Sequence, residues 1–163
     1  MKLHLAAACV LFISACTASI GGLPPPPTAG SVETIRYEKI GCYGECPVFV
    51  LTVRSDGGAT FDGQEFTAVK GVREFRVTSK QFAEFQRRLA PYRPVGERLL
   101  EGTNCLLPPV TDASAVDIKW QGKGPTSHLY AYYGCDMERN REMFVAIRDA
   151  PYAISQVAVL IGR

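Results

Sequence analysis

The sequence predicts an α+β domain in which about six strands and two helical regions follow the order ββββ-α-ββ-α. Short apolar segments rich in β-branched residues are separated by glycine and proline turns, as in strands joined by tight connections. Other segments place apolar residues at helical spacing. Runs of strands interrupted by helices are typical of an antiparallel sheet that packs against helices on one face.

Four strands are predicted before the first helix. Residues 32–40 form the first strand, and the apolar, β-branched residues 48–53 form a well-buried second one. The turn at Asp56-Gly57 suits a hairpin, because both residues tolerate the positive φ that tight turns need. Residues 59–61 return as the third strand, and residues 69–77 contain the fourth.

The first helix has a clear start and a clear end. Thr78, with Gln81 three residues later, fits a capping box. Pro91 ends the helix, and residues 91–113, rich in proline and glycine, look irregular. The apolar face of the helix comprises Phe82, Phe85 and Leu89.

Two further strands form a second hairpin, with residues 115–120 pairing against residues 126–133 across the turn at 121–125. Pairing their apolar faces leaves His128 on the opposite face, near Lys119.

The C-terminal part is predicted to form two short helices. Pro151 clashes with a carbonyl in a helix interior, so we expect it in the first turn of the second helix, with Asp149 or Ala150 near the cap. The apolar faces of these helices comprise Met143, Phe144, Ile147, Ile154, Val157 and Ile161.

The N-terminus has the layout of an export signal: Lys2, an apolar run to Ile13, and small residues before a cysteine. The string Ile13-Ser14-Ala15-Cys16 resembles the lipobox of bacterial lipoproteins. That resemblance implies cleavage before Cys16, which then carries the lipid that anchors the chain to a membrane. The predicted organisation is a signal peptide at 1–15, a proline-rich tether at 16–31 and one α+β domain at 32–163.

Two other kinds of N-terminal segment share part of this layout. A transmembrane anchor needs about 20 apolar residues, far more than this run offers. A soluble secreted protein carries a similar signal but leaves Cys16 as an ordinary thiol. Thr17 stands where an aspartate signals inner-membrane retention, so we expect an outer-membrane location facing the periplasm.

Charge excludes one class of partner. After removal of the signal, which contains Lys2, the chain carries 17 basic and 16 acidic residues. This near-neutral balance gives no case for a nucleic-acid partner.

Four cysteines remain after Cys9 leaves with the signal and Cys16 takes the lipid, and four allow three pairings. The oxidising compartment favours disulfides. The short spacing of Cys42 and Cys46 suits a bridge that closes the turn between the first two strands. Cys105 and Cys135 flank the ends of paired strands, so antiparallel pairing brings them together.

The segment Gly41-Cys42-Tyr43-Gly44-Glu45-Cys46-Pro47-Val48-Phe49 and the hairpin after it resemble the domain-of-unknown-function family 6438. Thr111-Asp112 and Tyr133-Gly134 also match that family. The resemblance implies export, since family members are often exported, and it brings no activity, metal or cofactor with it.

The spacing of Cys42, Cys46 and Pro47 also resembles the copper loop of thioredoxin-like copper chaperones, in which two thiolates and a distant histidine bind copper. His128 is the one histidine of the mature chain, and its predicted place on the far sheet face is unfavourable. Cys42, Cys46 and His128 are therefore kept as an alternative metal or redox site.

A hydrolase triad is disfavoured. Ser114, His128 and Asp112 supply the residue types, but no Gly-x-Ser-x-Gly turn frames a serine. We therefore expect a non-catalytic, lipid-anchored envelope module without a cofactor, which binds a protein or another envelope component. The alternative is a copper-binding or thiol-redox protein that uses Cys42 and Cys46.

Overall fold

A computed structural model describes residues 31–122 and 124–162. Its strands are β1 (Thr34–Ile40), β2 (Val48–Arg54), β3 (Gly58–Glu65), β4 (Gly71–Arg76), β5 (Glu97–Leu100), β6 (Ala115–Gln121) and β7 (Ser127–Tyr132). Its α-helices are α1 (Ser79–Leu89), α2 (Met137–Asp149) and α3 (Ser155–Ile161). Short 3-10 turns occupy Ala90–Tyr92, Gly102–Asn104 and Ala150–Ala153. The predicted signal peptide, Cys16 and the tether up to residue 30 lie outside the described residues.

The strands form one sheet in the order β4-β3-β2-β1-β6-β7-β5. Every neighbouring pair is antiparallel except β5 and β7, which run parallel. The predicted α+β class is therefore correct, but the sheet has seven strands and is mixed. The extra strand, β5, lies in the segment predicted to be irregular. It has only four residues, two of them charged, and this is too short to produce a strand pattern.

One sheet face and the helices enclose the core. The fully buried side chains of the central strands include Ile35, Tyr37, Leu51, Ile118 and Leu129. Because side chains alternate along a strand, the residues between them point to the other face, which is polar and half-buried. The helices cover the apolar face with the side chains predicted from the sequence: Phe82, Phe85, Leu89, Met143, Phe144, Ile147, Ile154, Val157 and Ile161.

The predicted capping box at the start of α1 is confirmed, whereas the predicted place of Pro151 is wrong. The Thr78 hydroxyl accepts from the Gln81 backbone N–H at 3.1 Å, and the Gln81 side chain accepts from the Thr78 N–H at 2.9 Å. Pro151, however, is not in the first turn of the last helix. It lies in the 3-10 turn between α2 and α3, because α3 begins only at Ser155. This turn places Pro151 and Tyr152 against the end of the sheet.

Among the described residues, no single helix is long and apolar enough to cross a membrane. Only the bent combination of Met137–Ala153 with Ser155–Ile161 meets that test, on length and composition alone.

Candidate functional site: the Lys39 pocket

The four cysteines form the pairs expected from the sequence. Cys42 and Cys46 are bonded across the connection between β1 and β2, with their Cα atoms 5.7 Å apart. Cys105 and Cys135 are bonded with Cα atoms 5.4 Å apart, and they tie the segment after β5 to the connection between β7 and α2. Both disulfides therefore restrain connections at the end of the sheet where β1 and β7 finish.

His128 is not brought to the cysteine pair. It lies opposite Lys119 on the polar sheet face, where its two ring nitrogens contact Glu97 at 2.7 Å and Asp117 at 3.2 Å. The register also places it four residues along the strands from Ile40, a distance of about 13 Å. In the part of the chain that the structure describes, no group of three or more His, Cys, Asp or Glu side chains could hold a metal ion.

The three residue types of a triad are also kept apart. Ser114 contacts Lys39 rather than His128. Asp112 has a positive φ of 65° in the loop before β6, and its carboxylate accepts from the Thr111 hydroxyl. Ser114, His128 and Asp112 therefore do not form a catalytic triad in this structure.

The segments that carry the family resemblance meet at one end of the sheet. The Tyr43 N–H donates to the Asp112 carbonyl at 3.2 Å, which joins the Cys42–Cys46 loop to the loop before β6. The Val110 N–H donates to the Gly134 carbonyl at 2.9 Å. Three connections that are distant in sequence are therefore held together around one place.

That place is a pocket of about 290 Å³, called here the Lys39 pocket. Ends of β1, β2, β6 and β7 supply one side, and the C-terminal end of α2 with the following 3-10 turn supplies the other. Its lining residues are Tyr37, Lys39, Cys46, Pro47, Phe49, Ser114, Tyr133, Arg148, Pro151 and Tyr152.

Lys39 is the central polar group of this pocket. It follows Ile35 and Tyr37 at the strand period, so its side chain lies on the face of β1 that the helices cover. Its ammonium donates to the Ser114 hydroxyl at 2.5 Å and lies 4.6 Å from the centre of the Tyr133 ring. Burial and then the charge of Arg148 lower the pKa of Lys39 to about 8.

Two phenols form the inner part of the pocket. Tyr37 is fully buried, and burial is the main cause that raises its pKa far above the ordinary value. Burial also raises the pKa of Tyr133, whose ring packs 5.1 Å from that of Phe144. The Tyr133 hydroxyl is buried without a hydrogen bond of good geometry to any described residue, and the Tyr37 phenol is its polar neighbour.

Arg148 forms the rim of the pocket. Its side chain is half-exposed, and its guanidinium pairs with the neighbouring Asp149 at 2.9 Å. Lys39, by contrast, takes part in no salt bridge within residues 31–122 and 124–162. Of the two cations in the pocket, Arg148 is therefore paired with a carboxylate, whereas Lys39 is not paired with one among the described residues.

Sequence reasoning did not find this site. The sequence singles out Ser114 only as a candidate nucleophile and Tyr133 only as part of the family resemblance, and it gives no role to Lys39 or Arg148. One signal was present: a lysine two residues after Tyr37 on the apolar side of a predicted strand. The α2 contribution could not be found in this way, because it depends on how the helix returns across the sheet.

A second cavity, of about 470 Å³, lies beside the Cys105–Cys135 bond and is mostly apolar. Leu106 and Leu107 line it and remain about 70% exposed. The Asp136 carboxylate holds this loop by accepting from the N–H groups of Leu106 at 2.8 Å and Leu107 at 3.0 Å. The charged side chains that line this cavity, Asp136, Glu138 and Arg139, lie beside its apolar surface.

A family model matches more than half of the chain. The model of the family described as "Domain of unknown function (DUF6438)" matches residues 33–150, which include both disulfides and most of the Lys39 pocket. No curated protein matches the chain.

Proposed function

The chain belongs to the DUF6438 family, and on that premise we propose that it is a non-catalytic binding module tethered by a lipid on Cys16 to the periplasmic face of the outer membrane. Its ligand occupies the Lys39 pocket. The single observation that carries this proposal is a half-buried lysine without a carboxylate partner among the described residues, held in a pocket that five separate chain segments build.

The chemistry of the pocket favours binding over catalysis. The Lys39 ammonium donates its hydrogen to Ser114, so below its pKa it cannot take a proton from that hydroxyl. A serine nucleophile needs a base that accepts its proton. Near neutral pH, Ser114 and Lys39 are therefore arranged to hold a ligand by hydrogen bonds.

The copper or thiol-redox alternative has less support. Cys42 and Cys46 are bonded to each other, and His128 lies on the other sheet face. Two thiolates alone remain as ligands after reduction. Stoichiometric Cu(I) binding by the reduced chain, with loss in Cys42→Ser, would favour this alternative over the binding module.

Photo-crosslinking tests the proposed site in the cell. We expect p-benzoylphenylalanine at Tyr152, on the pocket wall, to give one discrete adduct when cells producing the full chain are irradiated. The matched control is the same replacement at Tyr130, which lies on the opposite sheet face in β7. The measurement is the intact mass of the purified protein. An adduct at neither position, or the same adduct at both, would contradict a ligand in the Lys39 pocket.

A further inference from the structure

The Lys39 charge is unusual for a structural residue. Burying an ammonium removes its hydration, and folded proteins normally offset that loss with a nearby carboxylate. Here burial desolvates Lys39 and Arg148 repels it, and the contacts of its ammonium among the described residues, the Ser114 hydroxyl and the Tyr133 ring, carry no negative charge. A ligand that brings a negative charge would relieve both effects.

The charges that line the pocket favour a ligand with a single negative charge. Asp149 pairs with Arg148 and offsets most of its charge, so that only a residual repulsion of Lys39 remains. Lys39 is the remaining positive charge in the pocket. A monoanion completes this arrangement, whereas a phosphate monoester, with nearly two charges, would leave one uncompensated.

The hydrogen-bonding groups of the pocket suit a carboxylate. Ser114 accepts from Lys39, so the hydrogen of its own hydroxyl is available to donate to an anion. The Tyr133 hydroxyl, which makes no hydrogen bond of good geometry among the described residues, offers a second donor. Together with the ammonium, they give three kinds of donor for the two oxygens of one carboxylate.

The remaining walls suit an apolar body. Phe49 is buried, and Pro47 and Pro151 add rigid apolar surface on the sheet and helix sides. A volume of about 290 Å³ accommodates a small organic molecule.

From these observations we propose that the Lys39 pocket binds the carboxylate of a small organic monoanion with an apolar or aromatic body. Lys39 supplies the charge, Ser114 and Tyr133 donate hydrogen bonds, and the proline and phenylalanine walls contact the apolar part. This inference rests on the proposed function and adds the chemical class of the ligand.

The proposal predicts a specific pH dependence. An anion binds the ammonium form of Lys39, so affinity should be retained at neutral pH and should fall about tenfold per pH unit above the Lys39 pKa of about 8. The raised pKa values of Tyr37, Tyr133 and Arg148 keep these three groups in one protonation state through that range. The charged and titratable groups that face Lys39 from the packed elements are Tyr37, Tyr133, Arg148, Asp149 and Tyr152.

The test is isothermal titration of the full chain, purified from the producing cells, with benzoate as the probe. We expect saturable binding with a dissociation constant of about 1 mM or tighter. Benzamide, the neutral isostere, and phenyl phosphate, the more highly charged analogue, should each bind about tenfold more weakly or worse. Lys39→Met should weaken benzoate binding at least about tenfold, since it removes the charge and keeps the apolar stem.

The control variant is Lys119→Met, which removes a lysine paired with Asp117 on the polar sheet face and should bind benzoate as the wild type does. Lys39→Met removes an unfavourable buried charge, so we expect a melting temperature at or above that of the wild type, and lost binding cannot be ascribed to unfolding. Undetectable benzoate binding, equal loss in both variants, or tighter binding of phenyl phosphate would overturn the carboxylate assignment. If crosslinking at Tyr152 gives an adduct in cells but the purified chain does not bind benzoate, only the ligand class is rejected. If the purified chain binds benzoate but no adduct forms at Tyr152 in cells, the proposed function is rejected.

Discussion

At the scale of single residues, Gly134 shows how closely the connections at this end of the sheet approach one another. A Cβ atom at this position would lie 2.2 Å from the Val110 carbonyl oxygen, which is backbone and cannot rotate away. We expect Gly134→Ala to lower the free energy of unfolding by about 1 to 3 kcal/mol, the usual range for an overpacked site. Urea denaturation of the full chain measures the difference.

Gly58→Ala is the matched control for this substitution. The nearest atom to its added Cβ is Asp56 Oδ1 at 3.3 Å, a side-chain atom that needs to shift by only a few tenths of an ångström. Its stability should change by no more than about 0.5 kcal/mol, since the strand gains an alanine in place of a flexible glycine. Equal stability of the two variants would show that the approach of Gly134 to Val110 does not restrain the fold.

The same scale shows what sequence reasoning can reach. The alternation in β6 and β7 placed His128 opposite Lys119, because side-chain direction follows directly from the strand period. The approach of Arg148 to Lys39 could not be predicted, since it depends on the path of α2 across the sheet. The role of Asp136, whose carboxylate accepts hydrogen bonds from Leu106 and Leu107, also could not be predicted. Its partners lie about 30 residues away along the chain, beyond the reach of any local sequence pattern.

At the scale of elements, the two disulfides should contribute unequally to stability. The Cys105–Cys135 bond joins residues 30 apart, and the Cys42–Cys46 bond joins residues 4 apart. In the chain-entropy account, the longer loop contributes about 3.5 kcal/mol and the shorter one about 2 kcal/mol. Cys135 is also fully buried, so its removal weakens packing as well.

We therefore expect the double variant Cys105→Ala/Cys135→Ala to lose more unfolding free energy than Cys42→Ala/Cys46→Ala, by about 1.5 kcal/mol or more. Denaturant midpoints of the two variants and the wild type provide the measurement. Changing both members of each pair prevents a free thiol from confusing the comparison. A larger loss in the Cys42/Cys46 variant would mean that the short bridge restrains more of the fold than its own loop.

At the scale of elements, the sequence predicts the strands and helices that have local signals, but it does not predict β5 or the turn at Pro151. The first four strands, α1 and the second hairpin follow from periodicity and capping, because these signals are local. The strand β5 does not, since a four-residue parallel edge strand is defined by its partner β7 rather than by its own residues. Pro151 suits the first turn of a helix, which is why the sequence predicts it there, but a 3-10 turn tolerates proline equally well.

At the scale of the whole molecule, the proposed function depends on residues that precede the described ones. One acyl chain binds a membrane only marginally, whereas two or more anchor a protein stably. A diacylglyceryl group on Cys16 would therefore hold the chain stably at the membrane.

This anchoring gives a prediction that is independent of the pocket. Intact-mass analysis of envelope protein should show a chain that starts at Cys16 and carries lipid, and Cys16→Ser should move the protein out of the membrane fraction. Cys9→Ser is the matched control, because Cys9 leaves with the signal peptide and its replacement should not alter fractionation. A species that retains Met1, or an N-terminal Cys16 without lipid, would contradict the anchor. Membrane association that survives Cys16→Ser would come either from an uncleaved signal peptide, which intact mass would reveal as a chain that still starts at Met1, or from the surface of the domain itself.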